Sequence, residues 1–170
     1  MRIKFYSWTA VAVALIAAGA LIALGYFGLF SKKFGSFSGT EKTFAIIKPD
    51  AIKAKNCGKI IDRIEQEGFT IVQMKKTTLT KDLAEKFYVE HNGKKFFDEL
   101  ISFMTSGPCV VMVLEKNNAI ADWRSLMGNS TTEGTLRHQF GTSITFNAVH
   151  GSDSPEAAKR EIEIFFTEGK

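Results

Sequence analysis

Cysteine and proline are scarce in this chain: of 170 residues, 2 are cysteine and 3 are proline. Cys57 and Cys109 stand far apart and in no C-x-x-C spacing, which argues against a zinc site or a disulfide framework and fits a reducing compartment. Cys109 lies in the apolar run Pro108-Cys109-Val110-Val111-Met112-Val113-Leu114, where it reads as a small buried hydrophobe. Pro49, Pro108 and Pro155 fall at joints between elements and not inside them. The chain also lacks G-x-x-x-x-G-K-[ST] and G-x-G-x-x-G. If it binds phosphate, side chains must do what a glycine-rich loop does elsewhere.

An excess of one charge is missing from most of the chain. Lys plus Arg is 22 and Asp plus Glu is 18, net +4. Residues 1–40 hold Arg2, Lys4, Lys32 and Lys33 and no acid, so 22 less 4 leaves 18 basic against 18 acidic side chains in residues 41–170. A neutral body argues against a footprint for duplex nucleic acid, and no specific nucleic acid is expected as a partner. A small cationic cluster for a compact anion is still compatible with it.

What residues 1–40 do have is a long uncharged run, 27 residues over 5–31. A bilayer core of ~30 Å needs about 20 apolar residues as a helix, so the run is long enough to span. Tyr6 and Trp8 at one end and Tyr26 and Phe27 at the other suit the two interfaces, while basic residues at both ends leave orientation undecided. Three readings fit: a hydrophobic helix anchoring the chain in a membrane, a stretch upstream of the true start, and a signal peptide with Ala18-Gly19-Ala20 near its cleavage point. Residues 34–40 read as a flexible linker, and residues 41–170 as one catalytic-size domain.

That domain reads as α/β (α+β). Strands are expected over 43–47, 69–74, 109–114 and 144–149, and helices around Ile60, Ile61 and Ile64, over 80–88 with Thr80 as cap, and over 96–104, 118–127 and 155–166. Four strands alternating with helices suit a ferredoxin-like βαββαβ fold, a four-stranded antiparallel sheet with helices on one face.

The last helix carries the clearest chemical pattern. Ser154 then Pro155 is a good N-cap and first-turn pair. Ala157, Glu161 and Phe165 recur at i, i+4 and i+8, which puts Glu161 on the buried stripe. Glu156, Lys159, Arg160 and Glu163 can reach solvent. A buried carboxylate needs a partner, and His150, just before the turn at Gly151, is the obvious one. A carboxylate on one imidazole nitrogen leaves the other as a nucleophile. The alternative is a carboxylate at the stripe edge reaching water. Lys48, Arg124 and Arg137 are either solvated surface charges or a cluster around a phosphate. Phe96 and Tyr88 are either stacking platforms for a base or core aromatics, and Phe97 reads as core. His138 has no helix-borne carboxylate in its pattern and is expected to stand outside the chemistry.

Asn147-Ala148-Val149-His150-Gly151-Ser152-Asp153 resembles the active-site signature of nucleoside diphosphate kinases. The resemblance extends over residues 42–166 and includes Thr43-Phe44-Ala45-Ile46-Ile47-Lys48-Pro49-Asp50, Phe87-Tyr88, Phe96-Phe97, Ser106-Gly107-Pro108, Arg124-Ser125-Leu126-Met127-Gly128 and Gly134-Thr135-Leu136-Arg137. It implies ping-pong transfer of the γ-phosphoryl group from a nucleoside triphosphate to a nucleoside diphosphate through a phosphohistidine at His150. It further implies that Ser152 and Glu161 orient the histidine and its surroundings. Lys48, Tyr88, Arg124, Ser130, Arg137 and Asn147 would hold phosphates, ribose or the histidine, and Phe96 would stack on the base. Magnesium would bridge the nucleotide phosphates without protein ligands of its own. A cytoplasmic catalytic domain and a homo-oligomer, tetramer or hexamer, are implied as well. The chain departs from the family in having Ser130 where threonine is usual, Thr131 and Thr132 where a proline follows, and a shorter segment between residues 128 and 134. Those departures and the uncharged run leave a second expectation, a membrane-tethered nucleotide-binding or assembly module with little turnover.

Overall fold

The computed structural model describes residues 39–166. The hydrophobic helix expected over 5–31 lies outside them, and among the described residues no helix is long and apolar enough to cross a membrane.

The chain runs β1 (Glu41–Ile47), α1 (Pro49–Lys53), α2 (Cys57–Gln66), β2 (Thr70–Thr78), α3 (Lys81–Phe87), a 3-10 turn (Val89–His91), α4 (Phe97–Thr105), β3 (Pro108–Lys116), α5 (Ala119–Met127), α6 (Leu136–Phe140), β4 (Val149–Gly151) and α7 (Pro155–Phe166). The four strands form one sheet in the order β2-β3-β1-β4, with every neighbouring pair antiparallel. This is the ferredoxin-like βαββαβ arrangement expected from the alternation of elements.

The helices cover both faces of the sheet, not one. Side chains alternate across a strand, so a strand that is apolar at every position needs cover on both sides. Phe44-Ala45-Ile46-Ile47 of β1 is such a stretch. Ala45 and Ile47 pack with Ile60 and Ile64 of α2 and Trp123 of α5. Phe44 and Ile46 pack with Phe87 of α3, Leu100 of α4 and Phe165 of α7. On this second face Phe44 stacks on Phe165 with ring centroids 4.9 Å apart.

Local signals mark the helix starts. Thr80 Oγ1 accepts the Leu83 N–H at 3.2 Å at the head of α3. Ser154 Oγ accepts the Ala157 N–H at 3.1 Å at the head of α7, with Pro155 in the first turn where its missing N–H costs nothing.

β1 and β3 lie within two residues of their expected ends, and β2 and β4 depart further. β2 runs on to Thr78, because Lys75, Lys76, Thr77 and Thr78 pair with Val111, Val110, Cys109 and Pro108. Ladder hydrogen bonds need no apolar side chain on an edge. The strand expected over 144–149 is reduced to Val149–Gly151. Residues 142–147 turn on themselves: the Thr142 and Ser143 N–H groups both donate to Phe146 O, and Asn147 Nδ2 donates to Ile144 O at 2.7 Å. Ile144 is left 92% exposed, and Ala148 takes φ +66°, which ends extended geometry there.

Candidate active site

His150 sits inside β4 and not beyond a strand end. β4 pairs with β1 so that His150 faces Ile46, on the sheet face where Phe44, Phe87 and Phe165 pack. Phe87, Tyr88 and Phe44 meet the imidazole edge-on at centroid distances of 5.1, 6.1 and 6.4 Å. The strand beneath is held from the other face, where Trp123 Nε1 donates to His150 O at 3.1 Å. Gly151 is required there, since a Cβ would collide with the Trp123 indole.

α7 then runs back past the strand and delivers Glu161. Its carboxylate is 5% exposed and does not reach for water. Both Oε1 and Oε2 lie 3.3 Å from His150 Nε2. Ser152 Oγ donates to Glu161 Oε2 at 2.7 Å and accepts the Phe44 N–H at 3.2 Å. A carboxylate can only accept, so Nε2 carries the proton and Nδ1 keeps a free lone pair. Burial pushes the imidazole below its ordinary pKa, the Glu161 carboxylate opposes this, and the fields of Lys48 and Arg137 add to it. The ring is therefore neutral at pH 7, the form a nucleophile needs.

His150 opens on a cavity of about 200 Å³ whose walls include Tyr88, Arg124, Arg137, Arg160 and Glu161. Arg137, on α6, is anchored by Nη1 to Gly128 O at 3.3 Å and by Nη2 to Val149 O at 3.2 Å. Its Nε and the Tyr88 hydroxyl are buried and find no hydrogen-bond partner among the described residues. Burial and the neighbouring Arg124 lower the Arg137 pKa, and burial raises that of Tyr88. Arg124 itself is exposed on α5. Lys48, at the end of β1, is 5% exposed and donates to Asn147 Oδ1 at 2.7 Å. Burial and then the field of Arg137 bring its pKa down to about 8, with Asp50 opposing. The left-handed turn at Ala148 makes this pair: Ala148 N–H donates to Asp50 Oδ2 at 3.0 Å and Lys48 N–H to Ala148 O at 2.8 Å.

Eight of the residues singled out in the sequence thus fall into three groups. His150, Glu161 and Ser152 are hydrogen-bonded together, Tyr88, Arg124 and Arg137 line the cavity, and Lys48 and Asn147 form a pair whose charge His150 feels. Phe96 and Ser130 stand outside the cavity walls. Phe96 is 45% exposed at the head of α4, edge-on to His91 at 5.5 Å. Tyr88 is 5% exposed and packed against the histidine, so it offers no open face to a base. Ser130 is exposed on a loop wound around Asn129 Oδ1, which accepts the N–H and hydroxyl of both Thr131 and Thr132. His138 is exposed on α6 and lines no part of the cavity.

Sequence reasoning missed Glu90, His91, Asp153 and Arg160 on the cavity wall. Arg160 had a readable signal: it directly precedes Glu161, at the edge of the buried stripe. A larger cavity of about 730 Å³ lies elsewhere, between Pro49, Ile52, Phe103, Pro108 and Phe146, and is chiefly apolar.

Fold and site together define a ferredoxin-like domain presenting a neutral, carboxylate-held histidine to a cavity walled by three arginines and three carboxylates. A sequence profile described as "Nucleoside diphosphate kinase" matches residues 41–170. A nucleoside diphosphate kinase of Desulfotalea psychrophila is 55% identical over 131 residues, 75% of this chain and 96% of the relative. One from Syntrophotalea carbinolica is 55% identical over 130 residues, 74% of this chain and 95% of the relative. The crystal structure of the Aquifex aeolicus nucleoside diphosphate kinase superposes with a TM-score of 0.74 at 42% identity, covering 76% of this chain and 96% of that one. The chain belongs to the nucleoside diphosphate kinase family. None of these comparisons favours a tethered binding module.

Proposed function

We propose that His150 is the group through which this chain moves a phosphoryl group. The activity itself, transfer of the γ-phosphoryl group of a nucleoside triphosphate to a nucleoside diphosphate, goes with membership of the family. In the first half-reaction Nδ1 attacks the γ-phosphorus, an N–P bond forms, the bond to the β-phosphate oxygen breaks and the diphosphate leaves. In the second, a terminal oxygen of another nucleoside diphosphate attacks the phosphohistidine phosphorus, and Nδ1 departs as a neutral nitrogen again. The observation that carries this reading is the hold of Glu161 on Nε2 at 3.3 Å, which leaves Nδ1 as the ring's free nitrogen.

The surrounding groups support it. Phosphoryl transfer is mostly positioning and charge stabilisation. Arg124 and Arg137 face the arriving phosphates, and the unpaired donors of Tyr88 and Arg137 would be satisfied by nucleotide oxygens. Lys48 adds a charge held in place by Asn147. Ser152 fixes Glu161, and the exposed Phe96 ring is the stacking surface for a base of any kind. Ser130 reaches the nucleotide only from the outer loop. Among the described residues no three carboxylates, histidines or cysteines gather around one point. The donor set suits a nucleotide that brings its own magnesium on its phosphates. A homo-oligomer and a cytoplasmic place of action belong to the same proposal, resting on the family and on the free thiols of Cys57 and Cys109.

Incubation of the full chain with γ-labelled ATP tests this. The expected product is an acid-labile, base-stable phosphoprotein that His150→Ala does not form. A wild-type chain that takes up no label under turnover conditions removes the reading.

A further inference from the structure

We propose that Arg160 is a positioning residue that latches the base-binding edge of the site to its phosphohistidine end. The inference rests on the roles given above to His150 and Phe96. Arg160 stands on α7 immediately before Glu161 and shares the cavity wall with His150. Its guanidinium spans from its own helix to the segment opposite: Nη2 lies 4.0 Å from Glu161 Oε1 and donates to Glu90 Oε1 at 2.9 Å, and Nη1 donates to Phe87 O at 3.5 Å. Both acceptors belong to the excursion between β2 and β3. Phe87 closes α3, where the helix dipole favours a cation, and Glu90 lies in the 3-10 turn that follows.

The same turn leads to the base platform. His91 stacks on Tyr88 at a centroid distance of 5.9 Å and meets Phe96 edge-on at 5.5 Å. Lys94 Nζ sits 3.1 Å from His91 Nδ1 and 5.9 Å from the Phe96 ring centre. One path therefore runs from Arg160 to Glu90, along the chain to His91 and on to Phe96, and another runs from the adjacent Glu161 to Nε2 of His150. Both start from neighbouring residues of one helix. The separation between the stacked base and the reacting phosphorus is set by the nucleotide, and the protein must hold platform and nucleophile at that separation. Phe96 is on a segment that is partly exposed, so it needs a tie to the rigid α7, and Arg160 supplies it.

The test uses the full-length chain and two substrates. One is thymidine diphosphate, which needs the platform. The other is phosphoramidate, which gives a phosphoryl group to a histidine nitrogen with loss of ammonia and carries no base. Glu90→Gln leaves the Arg160 charge in the cavity and removes only the negative charge that draws it to the 3-10 turn. An ion pair this exposed shifts an equilibrium by a factor of roughly two to five. Glu90→Gln and Arg160→Ala should each raise KM for thymidine diphosphate roughly that much, the double variant no further, and Arg160→Lys should recover part. Under Glu90→Gln, labelling by phosphoramidate and the melting temperature should match wild type. An unchanged KM overturns the inference, and so does a loss shared equally by both substrates. A wild-type chain that neither γ-labelled ATP nor phosphoramidate can label at His150 overturns the underlying reading and takes the latch with it.

Discussion

Glu161 brings both carboxylate oxygens to the same nitrogen of His150, at 3.3 Å each, and Ser152 Oγ bonds one of those oxygens at 2.7 Å. The carboxylate is thus spanned between the ring it steers and a hydroxyl that keeps it from turning. Glu161→Ala should cost phosphohistidine formation about 10²-fold, the lower end of what a positioned proton-handling partner is worth. It also leaves a buried Ser152 hydroxyl and a ring N–H without acceptors, about 1–3 kcal/mol of stability. Glu161→Gln keeps a carbonyl oxygen to receive one of them and should lose less on both counts. Single-turnover labelling and a denaturant melt of the three proteins check this; a Glu161→Ala chain that labels at the wild-type rate contradicts it.

Two groups set the pH limits. His150 must be neutral to attack, and burial keeps its pKa below the ordinary 6.5. The acid limb of labelling should therefore have its midpoint below pH 6.5. Lys48 must be charged to draw phosphate, and its pKa is about 8, so labelling should decline as pH rises past that value. An acid limb with its midpoint above pH 6.5 excludes the first assignment. No decline up to pH 10 excludes the second.

Stability follows the same shifts with a definite sign. The unfolded chain holds a proton on Lys48 up to its ordinary 10.5, the folded chain only to about 8. Between those values the unfolded state binds more protons, so folding becomes more favourable as pH rises. Below about 8 the buried ammonium's cost is present in full. His150 acts in the same direction: folding loses stability as pH falls through the ordinary 6.5. Lys48→Met should flatten the rise across pH 8 to 10, as read by chemical denaturation at fixed pH. A wild-type chain that loses stability over that range, with no such difference from Lys48→Met, defeats the argument.

The His150–Glu161 pair was legible as one of two readings, because a carboxylate at i+4 from Ala157 and i−4 from Phe165 either meets a partner inside the fold or reaches water at the stripe edge. β1 and β3 were legible as apolar runs, but their two-sided cover was not inferred, although an uninterrupted run such as Phe44-Ala45-Ile46-Ile47 already implies it. Ile144 and Phe146 alternate like a strand and were misleading. The backbone there bonds to itself and Ala148 turns left-handed, and neither fact is visible in side-chain polarity. Arg160 was read as a solvent-facing charge because helical periodicity locates a Cα and says nothing of a side chain long enough to reach Glu90. Ser130 was carried over from the resemblance alone, and the Asn129-centred loop holds it outside the cavity wall.

Gly151 is where the two faces of the sheet compete for space. The Trp123 ring lies against the strand so closely that no Cβ fits, and the same ring bonds His150 O. Gly151→Ala must push β4 off the indole or move the indole out of the core. Overpacking of this kind costs about 1–3 kcal/mol, and the displaced strand carries the nucleophile. A melting temperature lower by several degrees and a labelling rate reduced at least about ten-fold are the expected results. An alanine variant with wild-type melting and labelling means that the packing around Trp123 is slack.

Phe96 offers the cleanest separation of binding from folding. Its ring is 45% exposed and touches His91 and the Lys94 ammonium, so its removal takes little from the core. A stacked base is worth about 1–3 kcal/mol, and every base presents a π-face. Phe96→Ala should therefore raise KM for purine and pyrimidine diphosphates alike, by roughly 10- to 100-fold, with the melting temperature nearly unchanged. A rise confined to one class of base assigns the ring to selective recognition instead. No rise for any nucleotide means that the base docks elsewhere, and the proposed run of contacts from Arg160 to Phe96 then ends on a surface the substrate does not use.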